Sequence, residues 1–358
     1  MLFSDLVVIG GGPAGMSAAL AAAGHGIKVT LLERMESLGG QLVKQTHRFF
    51  GSESEYAGTR GIRIADILRE KVESNRLIDC RRGSTALGIY EDGVVTFEEG
   101  TQYKKVNMDR LVVATGASEK MLVFEGNDLP GVYGAGAVQT LMNLYGVLPG
   151  RKVLMVGAGN IGLIVTYQLL QAGVRVAAIV DAADHIGGYL VHASKVRRCG
   201  VPVLLGTTIR AALGTTEVEG AVIQKLDSHF HPIPGTEQRL DVDTVCLSVG
   251  LSPLTELLRL AGCKMRYIPA LGGFVPVHNS YMQTSRSDIF VAGDASCVEE
   301  ASSAMMEGAI AGLSAAISLH VPSAGILEQR ERRIRELAAL RAGDVGAKIR
   351  NGLAVMAD

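Results

Sequence analysis

Two glycine hexads in this chain have the spacing that cradles a phosphate. Gly10-Gly11-Gly12-Pro13-Ala14-Gly15 and Gly157-Ala158-Gly159-Asn160-Ile161-Gly162 both read Gly-X-Gly-X-X-Gly. The first glycine permits a tight turn, the second lets backbone approach a pyrophosphate, and the third allows close helix–strand packing. A helix starting there points unpaired N–H groups at the anion. Glu33 and Asp181 then end the strand that follows each hexad. A carboxylate there can accept the hydroxyls of an adenosine ribose. No arginine stands beside Asp181 to meet a 2′-phosphate, which favours NAD over NADP. A third carboxylate, Asp294, closes the apolar run Ile289-Phe290-Val291-Ala292-Gly293. Plainer readings stand beside these. Either hexad can be a turn that merely packs, the second site can be empty, and Asp294 can cap a loop.

The surrounding pattern supplies elements that position these residues. Ser4 to Ile9 reads as a buried strand, and an Ala-rich helix runs from Pro13 to about Ala23, stopping at Gly24-His25-Gly26. Lys28 to Leu32 reads as the next strand, which makes a βαβ beginning. Residues 40–60 are irregular, and Ile62 to Ser74 reads as an amphipathic helix. Ile78 to Phe97, with its Asp92-Gly93 turn, suggests a small antiparallel insert. Leu111 to Ala114 returns as a strand ending in Thr115-Gly116. Lys152 to Val156 opens a second strand–glycine–helix–strand unit, so the chain carries an internal repeat. A helix from about Glu300 to Leu319 and a charged tail, helical around Leu327 to Leu340, complete the order.

Composition narrows the class. The chain has 358 residues, a size for two domains, and 47% hydrophobic residues, which is ample for buried cores and leaves room for an oligomer. A net charge of −1 and no long basic stretch speak against nucleic acid. No apolar segment reaches the ~20 residues that span a bilayer. The first apolar run ends in glycines rather than a cleavage site, which predicts a cytoplasmic protein. The five cysteines, none spaced CxxC, argue against a zinc ribbon, a cysteine-ligated cluster and a redox dithiol. They read as small buried thiols.

The hexad, Glu33, Gly39-Gly40-Gln41, Ala114-Thr115-Gly116 and Val291-Ala292-Gly293-Asp294, in this order, resemble the flavoprotein family with two dinucleotide-binding domains, to which thioredoxin reductase belongs. The resemblance covers about residues 4–320. It implies an α/β fold of two Rossmann-like three-layer domains, the second inserted in the first. FAD is implied in residues 1–116 and 270–322, NAD(H) or another adenine nucleotide in 117–269, with 323–358 a helical tail. It implies FAD contacts from Gly10, Gly12, Pro13, Ala14, Gly15, Glu33 and Arg34. Gly40, Gln41, Ala114, Thr115, Gly116, Gly293, Asp294 and Ala301 complete that set, Asp294 toward the ribityl chain or its phosphate. Gly157, Gly159, Asn160, Ile161, Gly162 and Asp181 are implied for the second nucleotide. The helix after Glu300 would point its N-terminus at the flavin, where reduction gathers negative charge.

Thioredoxin reductases carry CxxC shortly before the second hexad. Here that stretch reads Gly134-Ala135-Gly136-Ala137, which speaks against disulfide reduction. Gly134 to Gln139 and Glu299 to Gly308 look closer to the flavoprotein subunits of opine oxidase, hydrogen cyanide synthase, dye-linked proline dehydrogenase and sarcosine oxidase alpha. That branch implies an amine or amino-acid dehydrogenase complex with a second flavoprotein or iron–sulfur subunit. The alternatives are a stand-alone NADH-dependent flavin reductase serving a quinone, ferredoxin or peroxide, and a scaffold with structural nucleotides. No metal site and no catalytic base are assigned. Lys44 could stabilise reduced flavin, His47 could be an acid or base, and Glu300 and Glu307 are spaced to share one helix side. The plainer readings are a solvated or structural His47, a solvated Lys44 and a favourable first-turn acid at Glu300. The charge run Gln329 to Glu336 reads as a solvated surface helix or a docking surface.

Overall fold

The computed structural model describes residues 2–49, 56–319, 323–344 and 346–357; residues 50–55 of the irregular stretch and 320–322 lie outside them. Two compact units form, Met1–Ser118 with Leu251–Asp358, and Glu119–Gly250. The chain thus returns to the first unit at Leu251, not at 270. Residues 251–269 have their partners there. Thr115 Oγ1 donates to the Leu254 carbonyl at 2.6 Å, and Leu254 N–H donates to Gly116 at 2.9 Å. Leu258, Ala261 and Cys263 join the first unit's main core.

A seven-stranded sheet organises the first unit. Its parallel part runs Ile78–Arg81, Val29–Leu32, Leu2–Ile9 and Gln102–Val113, with Ile289–Val291 also pairing on the last of these. Val8 registers with Leu31 on one side and Val112 on the other. All four residues of Val29–Leu32 are buried, as expected of a parallel strand covered on both faces. The antiparallel part is Ser84–Ile89, Val94–Glu99 and the first half of Gln102–Val113. Ile78–Arg81 therefore does not belong to the antiparallel insert. It is the parallel edge strand beside Val29–Leu32.

Helix Gly61–Glu73 turns Ile64, Ala65, Leu68 and Val72 inward, the spacing of an amphipathic stripe. Helices Pro13–Ala23 and Ala301–Leu319 touch backbone to backbone. A Cβ on Gly308 would stand 2.0 Å from the Ala14 carbonyl oxygen, and one on Gly312 would stand 2.2 Å from that of Ala18. Ala301–Leu319, 19 residues long, is apolar enough to cross a membrane by length and composition, but it is a core helix of this unit, buried along most of its length. The tail forms helices Ala324–Leu340 and Ala347–Ala357. It is not simply a solvated appendage. Ile326 and Leu337 enter the main core, and Ile349 and Met356 pack with Ile268, Leu271 and Val275 in a smaller one. Glu328, Arg332 and Arg335 lie on the tail's exposed face, whereas Arg341 is buried.

The second unit has a five-stranded parallel sheet in the order Val203–Leu205, Arg175–Asp181, Lys152–Val156, Thr244–Leu247, Val132–Gly134. Strand alternation splits its core. Val153 and Met155 face the helices with Ile179, whereas Leu154 and Val156 face the antiparallel sheet Thr207–Leu213, Gly220–Lys225, Gln238–Leu240 with Val180.

Candidate cofactor sites

The parallel strands of the first unit end together, and the predicted residues follow their last positions. Gly10 follows Ile9, Glu33 follows Leu32, Ala114 to Gly116 follow Val113, and Gly293-Asp294 lie just past Val291. In open α/β sheets this carboxyl edge is where ligands bind. Gly10 sits at φ 107°, and a Cβ there would lie 2.2 Å from the Ala114 carbonyl oxygen. Gly15 is equally obligatory, since its Cβ would fall 1.7 Å from the Gly10 oxygen. Gly12 differs: the nearest atom to its Cβ position is 3.9 Å away, so the face toward an incoming group is open. No side chain caps the helix that begins at Pro13. An uncapped N-terminus beside an open glycine fits a pyrophosphate.

Glu33 is 7% exposed and fully engaged at its base. One oxygen accepts the Gly11 N–H at 2.6 Å and the other the Met35 N–H at 2.7 Å. Each carboxylate oxygen keeps a further lone pair for a ribose hydroxyl. Gly39 N–H donates to the Gly11 carbonyl at 2.9 Å, which folds the Gly39-Gly40 loop over the hexad. A Cβ on Gly40 would lie 2.8 Å from the Gly12 Cα, so the loop needs glycine there. Arg34 and Gln41 are exposed, and Thr115 spends its hydroxyl on Leu254.

Asp294 lies in the short turn Gly293–Ala295 and accepts the Glu299 N–H at 3.4 Å. Burial pushes its carboxyl up to about 7, against the pull of that N–H, and the Glu307, Glu299 and Glu300 carboxylates push the same way. Glu307, only 1% exposed, braces the turn from behind. Its Oε2 accepts the Gly293 N–H at 2.9 Å and the Ser296 hydroxyl at 2.7 Å. Its Oε1 accepts from the Arg341 guanidinium, which also donates from Nε to Glu299 at 2.8 Å. Ligand-type atoms of Cys297, Glu299 and Glu307 converge within 4.8 Å here, and Arg341 supplies the cation among them. Burial holds the Cys297 sulfur as a thiol, with Glu307 and Glu299 adding to the effect. Sequence reasoning misses this cluster, because no motif links Arg341 to the turn.

Other expectations shift. Glu300 and Glu307 do not share one environment: Glu300 is exposed ahead of the helix start and Glu307 is buried within it. Lys44 ends the single turn Gly40–Lys44 half-buried, and the His47 ring stacks on Phe49 at 5.5 Å. Ala301 is the first residue of its helix. Of the cysteines, Cys246, Cys263 and Cys297 are buried, Cys80 is half-buried and Cys199 is exposed.

The second unit repeats the same construction. Gly157 sits at φ 111°, with its Cβ position 2.1 Å from the Ser248 oxygen, and a Gly162 Cβ would lie 2.0 Å from the Gly157 oxygen. Gly159, like Gly12, has open space, and no side chain caps the helix that starts at Asn160. Asp181 accepts the Ala158 N–H at 2.6 Å and the Ala183 N–H at 2.9 Å, as Glu33 accepts those of Gly11 and Met35. Gly188 N–H donates to Ala158 at 3.0 Å, and Asn160 Oδ1 accepts the Tyr189 N–H at 2.7 Å. At the helix start where CxxC would stand, Glu119 caps the Gly136 and Ala137 amides, at 2.5 and 3.3 Å.

Residues 4–308 match the family described as pyridine nucleotide-disulphide oxidoreductase. The chain belongs to this family. Its members are FAD-dependent oxidoreductases that bind FAD and NAD(P). An opine oxidase subunit of Rhizobium meliloti (strain 1021) is 29% identical over 352 residues, covering 92% of this chain and 75% of that one. Among solved structures, L-proline dehydrogenase from P. horikoshii shares the fold with a TM-score of 0.73 at 24% identity, over 94% of this chain and 59% of that one. Thioredoxin reductase from T. acidophilum does so with a TM-score of 0.73 at 20% identity, over 89% and 99%.

Proposed function

We propose that this chain is the flavoprotein subunit of an amine or amino-acid dehydrogenase complex, with FAD in the first unit and NAD or another adenine nucleotide in the second. The observation that carries this reading is the convergence of Gly10, Glu33, Ala114 and Asp294 at the ends of adjacent parallel strands. FAD, when bound, supplies the electron and hydride chemistry. The protein's part is to hold and tune it. The helix start at Pro13 offers its amides to the pyrophosphate, and Glu33 offers lone pairs to the ribose. Asp294, poised near neutrality, donates a hydrogen bond as the acid and accepts one as the anion.

Two features speak for a dehydrogenase subunit rather than a disulfide reductase. No cysteine pair has the CxxC spacing, and the helix start at Ala135 is occupied by the Glu119 carboxylate. The kinship to a protein named as one subunit of opine oxidase supports a partner, which we take to be a second flavoprotein or an iron–sulfur protein. A second reading, a stand-alone NADH-dependent flavin reductase, is favoured by the complete Asp181 cradle.

An anaerobic visible spectrum of the purified chain before and after NADH separates them. A stable yellow protein that ignores NADH and co-purifies with a second redox chain is expected of the dehydrogenase component. Rapid bleaching of the flavin band, with turnover of a dye by the isolated chain, would transfer the assignment to the reductase. A flavin-free protein that FAD does not reconstitute would remove both.

A further inference from the structure

We propose that Arg341, in the C-terminal tail, is a positioning residue for the FAD cradle. The proposal rests on the first unit holding FAD. Arg341 caps the end of helix Ala324–Leu340 and is 9% exposed, deep for a guanidinium. It donates to both Glu307 and Glu299. These two carboxylates bracket the Gly293 to Glu299 segment that carries Asp294. Glu307 binds Arg341 with one oxygen and, with the other, takes the Gly293 N–H and Ser296 hydroxyl. Glu299 binds Arg341 through its side chain while its backbone N–H holds the Asp294 carboxylate. One cation therefore fixes both ends of the turn.

Two carboxylates this close, Glu307 buried and Glu299 half-buried, repel each other unless a cation lies between them. A planar fork with several donors does this better than a point charge. The anchor is itself held from the tail, because Arg350 Nη1 donates to the Arg341 and Gly343 carbonyls. Without Arg341, one carboxylate must protonate or turn away. Protonation weakens Glu307 as the acceptor of the Gly293 amide and turning away removes it, and either loosens Asp294 at the strand end. The tail thereby becomes part of the cofactor site without reaching it.

The test compares the full chain with its Arg341→Met variant by FAD dissociation constant, flavin midpoint potential and amide exchange at Gly293. We expect at least tenfold weaker FAD binding, a shifted potential and faster exchange at Gly293, with Arg341→Lys intermediate in all three. Ile326→Ala loosens the tail instead at the far end of helix Ala324–Leu340 and should lower Tm while leaving FAD affinity unchanged. Wild-type FAD affinity and potential in a folded Arg341→Met protein would overturn the proposal. So would equal loss of FAD in Ile326→Ala, which would make the tail a general support. Should Arg341→Met not fold, Arg341→Lys decides by the same readouts, and failure of both to fold would mark Arg341 as structural for the whole unit and end the claim. A wild-type chain that binds no FAD refutes the cofactor assignment itself, a result distinct from any of these.

Discussion

Gly308 lies against Ala14 so closely that a Cβ on it would stand 2.0 Å from the Ala14 carbonyl oxygen. This contact fixes helix Ala301–Leu319 against the helix that follows the first glycine hexad, and so sets the Gly293-Asp294 turn beside that hexad. Gly308→Ala should therefore destabilise the first unit by about 1–3 kcal/mol through overpacking, although alanine is the better helix former. A Tm equal to or above that of the wild type would show that the two helices can separate without cost.

Glu33 holds two backbone amides, and the proposed FAD site gives it the ribose as well. Glu33→Ala leaves both amides without their acceptor and removes the ribose contact. Hydrogen bonds to charged groups are worth roughly 1.5–3 kcal/mol, so FAD retention should fall by about ten- to hundredfold. Fluorescence titration of the reconstituted protein measures this. Undiminished affinity would take the adenosine away from Glu33.

Asp294 should give the protein a distinctive pH response. Its folded-state pKa, about 7, lies above that of an unfolded aspartate, so the folded state binds more protons between roughly pH 4 and 7. Stability contributed by the protonated group is present at acid pH and is lost as pH rises toward 7. Denaturant melts of wild type against Asp294→Asn should show the wild type losing ground over that window and running parallel above it. A constant difference from pH 4 to 8 would refute the raised pKa.

In the second unit, Asp181 should select the unphosphorylated ribose. NADH is expected to bind more tightly than NADPH, and Asp181→Asn should weaken NADH binding while FAD content stays at the wild-type level. Calorimetric titration of both nucleotides checks it, and a wild-type preference for NADPH would contradict the assignment.

The local parts of the two cradles were legible in the sequence for a physical reason. A turn at φ 107° or 111° with backbone within bonding range of the Cβ position admits only glycine, and the acid that closes the next strand lies at a fixed distance along a βαβ unit. Hexads, Glu33, Asp181 and the Gly293-Asp294 strand end are therefore written in residue types and spacing. What tertiary structure decided was partnership. Ile78–Arg81 carries no mark that says parallel edge rather than antiparallel insert, because pairing depends on the neighbour that is already in place. Residues 251–269 belong to the first unit through contacts at Thr115 and Gly116, far back in the chain. Glu300 and Glu307 look alike on a helical wheel, yet only Glu307 faces the packed interior. Arg341 stands among many arginines of a charged tail. It is singled out because folding brings it against the buried Glu307 and the half-buried Glu299, and the energy of a buried charge is fixed by what surrounds it in space, not by its place in the chain.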